Sequence, residues 1–333
     1  MNKKISPVFM QQLMLNSIQK DTYQIIEELF AKYSEIINWE EVLMFIIKNK
    51  VVPQFFYVIK KAQVLDKVPF SVIEFLHRTV EVLKIQKECY EAEMIKIHNS
   101  FISEGIDYRL VKGLAIENLC FDSKGLKQIS DIDIIVNRND SKKIIEIYNE
   151  LGYSSGKFDY QSKQIIRHSR EKMLMYKLTG DHLPDYVKIG YDKPLIPLTI
   201  DTTININWEK NKVVSLDPFN SLSNIKIKDT DIKTIGNIPH ICYLFLHMYK
   251  HGKSLRLQQK KLGISFAMLS DIFMFLNRYE QWEDPTLVEE ECRRYGLSDE
   301  FDWGINYLKS IFLSIDSNNL ETLISRYPSL ENK

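Results

Sequence analysis

Residues 108–136 read YRLVKGLAIENLCFDSKGLKQISDIDIIV, and the fold is read outward from them. A short apolar run, Tyr108 to Val111, leads into Lys112-Gly113. A short helical segment around Ala115 to Cys120 and a basic turn follow, and then a second strand that carries Asp131 and Asp133. Side chains alternate across a strand, so these two carboxylates share a face and lie roughly 7 Å apart along it. Ile132, Ile134, Ile135 and Val136 bury the strand, and like charges held there need a cation or a proton between them. This points to a divalent-metal site. The plainer alternative is an Asp-x-Asp on an exposed strand or loop, which is common. Lys112-Gly113 has two readings as well: a turn whose glycine admits a phosphate close to the backbone beside a lysine charge, or an ordinary strand-to-helix turn.

Downstream, a helix is predicted from about Ser141 to Leu151, with Asn139 or Asp140 as its cap and Gly152 as its stop. Strands alternating with helices imply an α+β core with a small mixed sheet. Residues 153–188 carry few clear signals, and Met173 to Leu178 is a candidate strand. Leu198 to Trp208 alternates cleanly: Ile200, Thr202, Ile204, Ile206 and Trp208 fall on one face, and Asp201, Thr203, Asn205 and Asn207 on the other. If this strand lies beside the aspartate strand, its polar face completes the same cleft.

Both flanks are helical. From about Phe9 to Phe101 the apolar residues recur at helical spacing, with Asn38 a predicted N-cap for the helix opening at Trp39-Glu40-Glu41. From about Pro239 onward the same pattern returns. The expected organisation is an N-terminal helical region over 1–99, a core over 100–212 and a C-terminal helical region over 213–333.

Composition narrows the function classes. Lys plus Arg and Asp plus Glu number 44 each, so the net charge is zero and a dedicated nucleic-acid binder is disfavoured. The four cysteines have no C-x-x-C spacing and read as buried thiols of a cytoplasmic protein. No apolar run is long enough to span a bilayer. Neither a dinucleotide fingerprint nor a G-x-x-x-x-G-K phosphate loop is present. His247 and His251 have a helical i, i+4 spacing that can hold a metal, although one packed and one exposed histidine is the simpler account. The run Lys250, Lys253, Arg256, Lys260 and Lys261 suits either an anion or a solvated helix face. Asp271 reads as a helix cap or ion-pair partner.

KGLAIENLCF, KQISDIDIIV and ELGY together resemble the core of the uncharacterised bacterial nucleotidyltransferases, a branch of the polymerase-β-like nucleotidyltransferase superfamily. INWEEVLMFIIKNKVVPQFF, YLFLHMYKHG and LSDIFMF resemble that family's N- and C-terminal helices, so the likeness runs from about Trp39 to Phe312. It implies transfer of a nucleoside monophosphate from an NTP to a hydroxyl of a small molecule or a protein. Asp131 and Asp133 would bind two Mg²⁺ (or Mn²⁺) ions, one on the triphosphate and one activating the acceptor. Lys112, Gly113 and Ser130 would lie against the phosphates, and Lys127 takes the place of the family arginine. The family's later strand ends in acid-x-His-Trp, which puts Asn205 in the acid's place and Asn207 in the histidine's. An amide cannot act as a general base near neutral pH. Asp201 shares the strand face but lies four residues, roughly 13 Å, from Asn205. Three alternatives follow: Asp201 is the third acid, the site is weakened, or the chain binds a nucleotide or partner protein without turnover.

Overall fold

The structure is a computed structural model that describes residues 23–33, 35, 37–190, 196–207, 212–254, 263–279 and 286–312. It divides into two compact units. One comprises residues 1–83, 124–128 and 241–333; the other comprises 84–123 and 129–240.

The second unit holds the sheet. Its strands are β1 (Tyr108–Val111), β2 (Ile132–Val136), β3 (Ser154–Asp159), β4 (Gln164–Arg167), β5 (Tyr186–Ile189), β6 (Pro197–Thr203), β7 (Leu222–Ile227) and β8 (Thr230–Ile235). They form an eight-stranded sheet in the order β4-β3-β5-β6-β2-β1-β8-β7. β2 pairs with β6 and β1 with β8 in parallel, and the other pairings are antiparallel. The protein therefore has the α+β fold expected, a mixed sheet flanked in sequence by helical regions. β1 and β2 lie inside the sheet and every residue of both is buried, which is why, Arg109 and Asp133 apart, they are apolar on both faces. Their core partners include Tyr90, Met94, Ile97 and Phe101 from helix Phe70–Ser103, and Ile144 and Tyr148 from helix Ser141–Glu150.

Local signals explain most boundaries. Gly152, at φ 85, follows helix Ser141–Glu150 and takes the left-handed conformation that ends it. Met173 to Leu178, a candidate strand by sequence, instead lies in helix Arg170–Thr179. The Ser169 hydroxyl accepts the Lys172 N–H at 3.3 Å and Gly180 closes the other end at φ 69, so the two caps override the local alternation. The strand predicted to reach Trp208 stops at Thr203. There Ile204 N and Asn205 N both donate to Asp181 O, at 2.9 and 3.1 Å, which draws the chain out of the sheet. Trp208 lies outside the described residues. Past residue 212, the β7–β8 hairpin extends the sheet on the far side of β1.

The first unit is helical in its described residues, with helices Tyr23–Tyr33, Trp39–Lys48 and Val52–Lys61 before the sheet and Phe266–Tyr279, Thr286–Arg294 and Ser298–Phe312 after it. Asn38 caps as predicted, its Oδ1 accepting from Glu40 N and Glu41 N at 3.2 and 3.4 Å. Asn49 then binds the start of helix Phe266–Tyr279, accepting from Phe266 N at 2.9 Å. No helix among the described residues is long and apolar enough to cross a membrane.

Candidate functional site

The β2–β6 register decides which acids meet. Asp133 and Asp201 are direct neighbours in the parallel pair, as are Ile132 with Ile200 and Ile134 with Thr202. Adjacent strands lie about 4.8 Å apart, so the two carboxylates leave the same face side by side. Asp133 is buried and Asp201 half-buried. Asp131 stands one residue before β2 begins, its Oδ1 accepting from the Ser130 hydroxyl at 3.0 Å.

Tyr90 fixes this arrangement from below. Its hydroxyl donates to Ser130 O at 2.5 Å and accepts from Thr199 N at 3.3 Å, tying the approach to β2 to the middle of β6. Burial raises the Tyr90 pKa above the ordinary phenol value, so it serves as a neutral hydrogen-bonding post.

Asn205 goes elsewhere. Beyond the end of β6 it is exposed, and its Oδ1 accepts from Asn207 N at 3.0 Å in a local turn. Asn207 in turn accepts from Val214 N at 3.1 Å. The side chain that the strand register brings to Asp133 is thus Asp201.

Lys112-Gly113 forms the opposite wall. Helix Gly113–Phe121 begins directly after β1, and Lys112 stands at its N-cap with φ 51 and ψ −139. That conformation costs a non-glycine residue about 1–3 kcal/mol. Its side chain makes no cap hydrogen bond; the ammonium instead pairs with the Asp133 carboxylate and lies 4.0 Å from Asp201. The Lys112 N–H donates to His240 Nε2 at 3.3 Å. His240 is fully buried, and burial holds its pKa down to about 3, so the ring keeps the neutral form whose lone pair accepts this bond. A Cβ built on Gly113 would stand 3.4 Å from Asp131 O and 3.6 Å from Asp133 Oδ2. The missing side chain leaves open the space between the helix start and the carboxylates.

Electrostatics set this cluster apart. Burial pushes the Asp133 carboxyl above its ordinary range; Lys112 pulls it down, and Asp131 and Asp201 push it up again. His182 also reaches the cluster, with Nε2 3.9 Å from Asp201 Oδ1 and 3.2 Å from the Thr203 hydroxyl, and Nδ1 3.2 Å from Asp181. No sequence signal marks His182 or His240, because each arrives through tertiary placement.

Other candidates find different partners. The Lys127 ammonium is held by both Asp271 carboxylate oxygens at 2.7 and 2.6 Å, within the helical unit. The His247 and His251 rings pack against each other, centroids 4.7 Å apart, and both are half-buried. Of the basic run, Lys250 is half-buried and Lys253 exposed, while Arg256, Lys260 and Lys261 lie outside the described residues. Among the described residues no group of three or more His, Cys, Asp or Glu side chains converges enough to hold a metal ion.

Comparison with known proteins adds a family. The profile of a family described as uncharacterised nucleotidyltransferase matches residues 35–312. No curated protein matches the chain. A crystal structure of an antigenic nucleotidyltransferase-like protein from Paracoccidioides brasiliensis is similar at 9% identity and a TM-score of 0.34, over 72% of this chain and 92% of that one. That likeness is too slight to carry geometry.

Proposed function

The chain belongs to the uncharacterised nucleotidyltransferase family, and from that membership we propose that it moves a nucleoside monophosphate from an NTP to a hydroxyl of a small molecule or protein. The observation that supports this reading is the pairing of Asp133 with Asp201 beneath a glycine-started helix.

The donor set suits a hard divalent cation. Asp131 and Asp133 offer only oxygen, the donor type that Mg²⁺ and Mn²⁺ take, and Mg²⁺ is ordinarily held by one or two carboxylates with substrate phosphates supplying further oxygens. The Gly113 opening beside Asp133 leaves room for a phosphate at the helix start. Asp131 and Asp133 are the residues that would hold the ion, with Asp201 beside them. Mg²⁺, when bound, neutralises triphosphate charge and makes the acceptor hydroxyl more acidic.

The chain's own residues supply the rest. The first N–H groups of a helix have no partner within it, so those at the start of helix Gly113–Phe121 receive phosphate oxygens, and Gly113 lets them approach. Lys112 adds a positive charge there. The acceptor oxygen forms its bond to the α-phosphorus as the bond to the β-phosphate bridging oxygen breaks, and pyrophosphate leaves. Asp201 is more exposed than Asp133, which supports the reading that it takes the acceptor proton.

A second reading, nucleotide or partner-protein binding without turnover, is favoured by one observation: the Lys112 ammonium pairs with Asp133 where a cation would serve. Incubation with α-labelled NTPs, Mg²⁺ and a panel of hydroxyl acceptors, the protein itself included, separates the two. Label on an acceptor, lost in Asp133→Asn, supports transfer. Metal-dependent nucleotide binding with no label moved supports the binding reading, and no binding at all rejects both.

A further inference from the structure

Lys112 occupies a place that a nucleotide-binding lysine does not need. A phosphate-side lysine at a helix start is expected to face outward toward its anion; here it turns back to the carboxylates. It pairs with Asp133 and lies 4.0 Å from Asp201, with its side chain 12% exposed. The turn-back is built into the backbone. With φ 51 and ψ −139, Lys112 sits outside the common basins, and the bond from its N–H to buried His240 holds it there. The one ammonium meets two carboxylates, Asp133 and Asp201, and Asp131 adds its charge beside Asp133, so the cluster retains a net negative charge and remains attractive to a further cation.

We infer that Lys112 is the resident counter-cation of the Asp133–Asp201 pair. It competes with a divalent ion for those carboxylates and yields to that ion when a triphosphate draws the ammonium away. Rotation about the lysine side chain is the motion that would exchange the two partners, since its four-carbon stem is flexible. The inference rests on the reading of this cluster as a triphosphate-metal site. Its consequence is mutual support between metal and triphosphate: each binds weakly alone because Lys112 is committed to the acids, and each binds better once the other is present.

The test uses the full chain, Mn²⁺ alone and inorganic tripolyphosphate alone. Mn²⁺ affinity is measured by water-proton relaxation for the wild type, Lys112→Met, Lys112→Gln and Lys112→Arg. The two neutral variants should bind Mn²⁺ about tenfold more tightly or better, while the arginine variant stays near the wild type. The same neutral variants should bind metal-free tripolyphosphate, followed by calorimetry, about tenfold more weakly. Circular dichroism establishes that each variant is folded, and the glutamine variant carries the test if the methionine variant is not.

Equal or weaker Mn²⁺ binding by the neutral variants overturns the inference and leaves the metal reading standing. So does an arginine variant that gains as much as they do, because packing and not charge would then be responsible. Unchanged tripolyphosphate affinity overturns the exchange. Absence of Mn²⁺ binding in every form rejects the metal reading itself, along with the inference built on it.

Discussion

The sheet unit contains two buried acid–lysine pairs with opposite character. Glu93 accepts from Lys188 at 2.9 Å, Lys96 at 2.6 Å and the Tyr153 hydroxyl at 3.0 Å. Burial alone would raise its pKa, yet two ammonium groups outweigh burial and hold it below the ordinary 4.5. Asp133 has one ammonium and two neighbouring carboxylates, and burial raises its pKa. The first acid has more positive charge than it needs; the second has less. A satisfied buried pair holds structure in place, whereas a cluster short of positive charge is a candidate for function.

The largest effect that would break this contrast is kinetic. Asp133→Asn is expected to lower the transfer rate by about 10³-fold, measured with an α-labelled NTP, while leaving the folded state intact. A variant that keeps wild-type turnover would place the chemistry elsewhere.

Next in size is a stability change at the other pair. Glu93→Gln leaves Lys188 buried without its carboxylate and should cost about 3 kcal/mol in a urea unfolding experiment. Turnover per folded molecule should remain near the wild type, because Glu93 belongs to no part of the proposed site. A stable but inactive Glu93→Gln would erase the distinction between the pairs.

Gly113→Ala sharpens the phosphate side. The added Cβ makes ordinary contacts at 3.4 and 3.6 Å, so stability should stay within about 1 kcal/mol of the wild type. It occupies the space beside Asp133, and kcat/KM for the NTP should fall by about tenfold or more. A parallel loss of stability and activity would mean the glycine serves packing only.

The smallest effect is in pH dependence without metal. The folded state holds the Asp133 proton more firmly than the unfolded chain does. Between the ordinary value of 3.8 and the raised folded value, the folded state therefore binds more protons, and stability falls as pH rises through that window. Glu93 has the opposite sign: its contribution is fully present above 4.5 and is lost as pH falls through its lowered folded value. Melting temperatures across pH 2 to 8 should show Asp133→Asn removing a decline of a few degrees between 3.8 and the raised folded value, and Glu93→Gln removing a loss below 4.5. An unchanged profile in Asp133→Asn would show that the carboxyl is not proton-hungry in the folded chain.

Much of the candidate site is visible in residues 108–136 because its signals are local. Strand β1, the helix start at Gly113 and the Asp-x-Asp face follow from apolar runs, one glycine and the two-residue period of a strand. Strand β6 was half legible: its alternation separates Asp201 from the packed Ile200 and Thr202, but it does not show that the strand ends before Asn205. That ending depends on Asp181 O, which belongs to another segment. The stretch Met173 to Leu178 misleads for the reverse reason, since its helix, Arg170–Thr179, is set by caps at Ser169 and Gly180 outside the run itself.

The sequence by itself determined most of the elements, the apolar interior of the sheet and the position of the two aspartates at and just before the start of β2, because each depends on interactions within a few residues of chain. The tertiary structure decided what faces those aspartates. Asp201 reaches Asp133 through the β2–β6 register, held by Tyr90 and by the burial of Ile132, Ile134, Leu198 and Ile200. Lys112 sets its ammonium against Asp133, and its backbone N–H is bound by buried His240. These are pairings between residues distant in sequence, and their geometry is set by how the whole sheet closes its core.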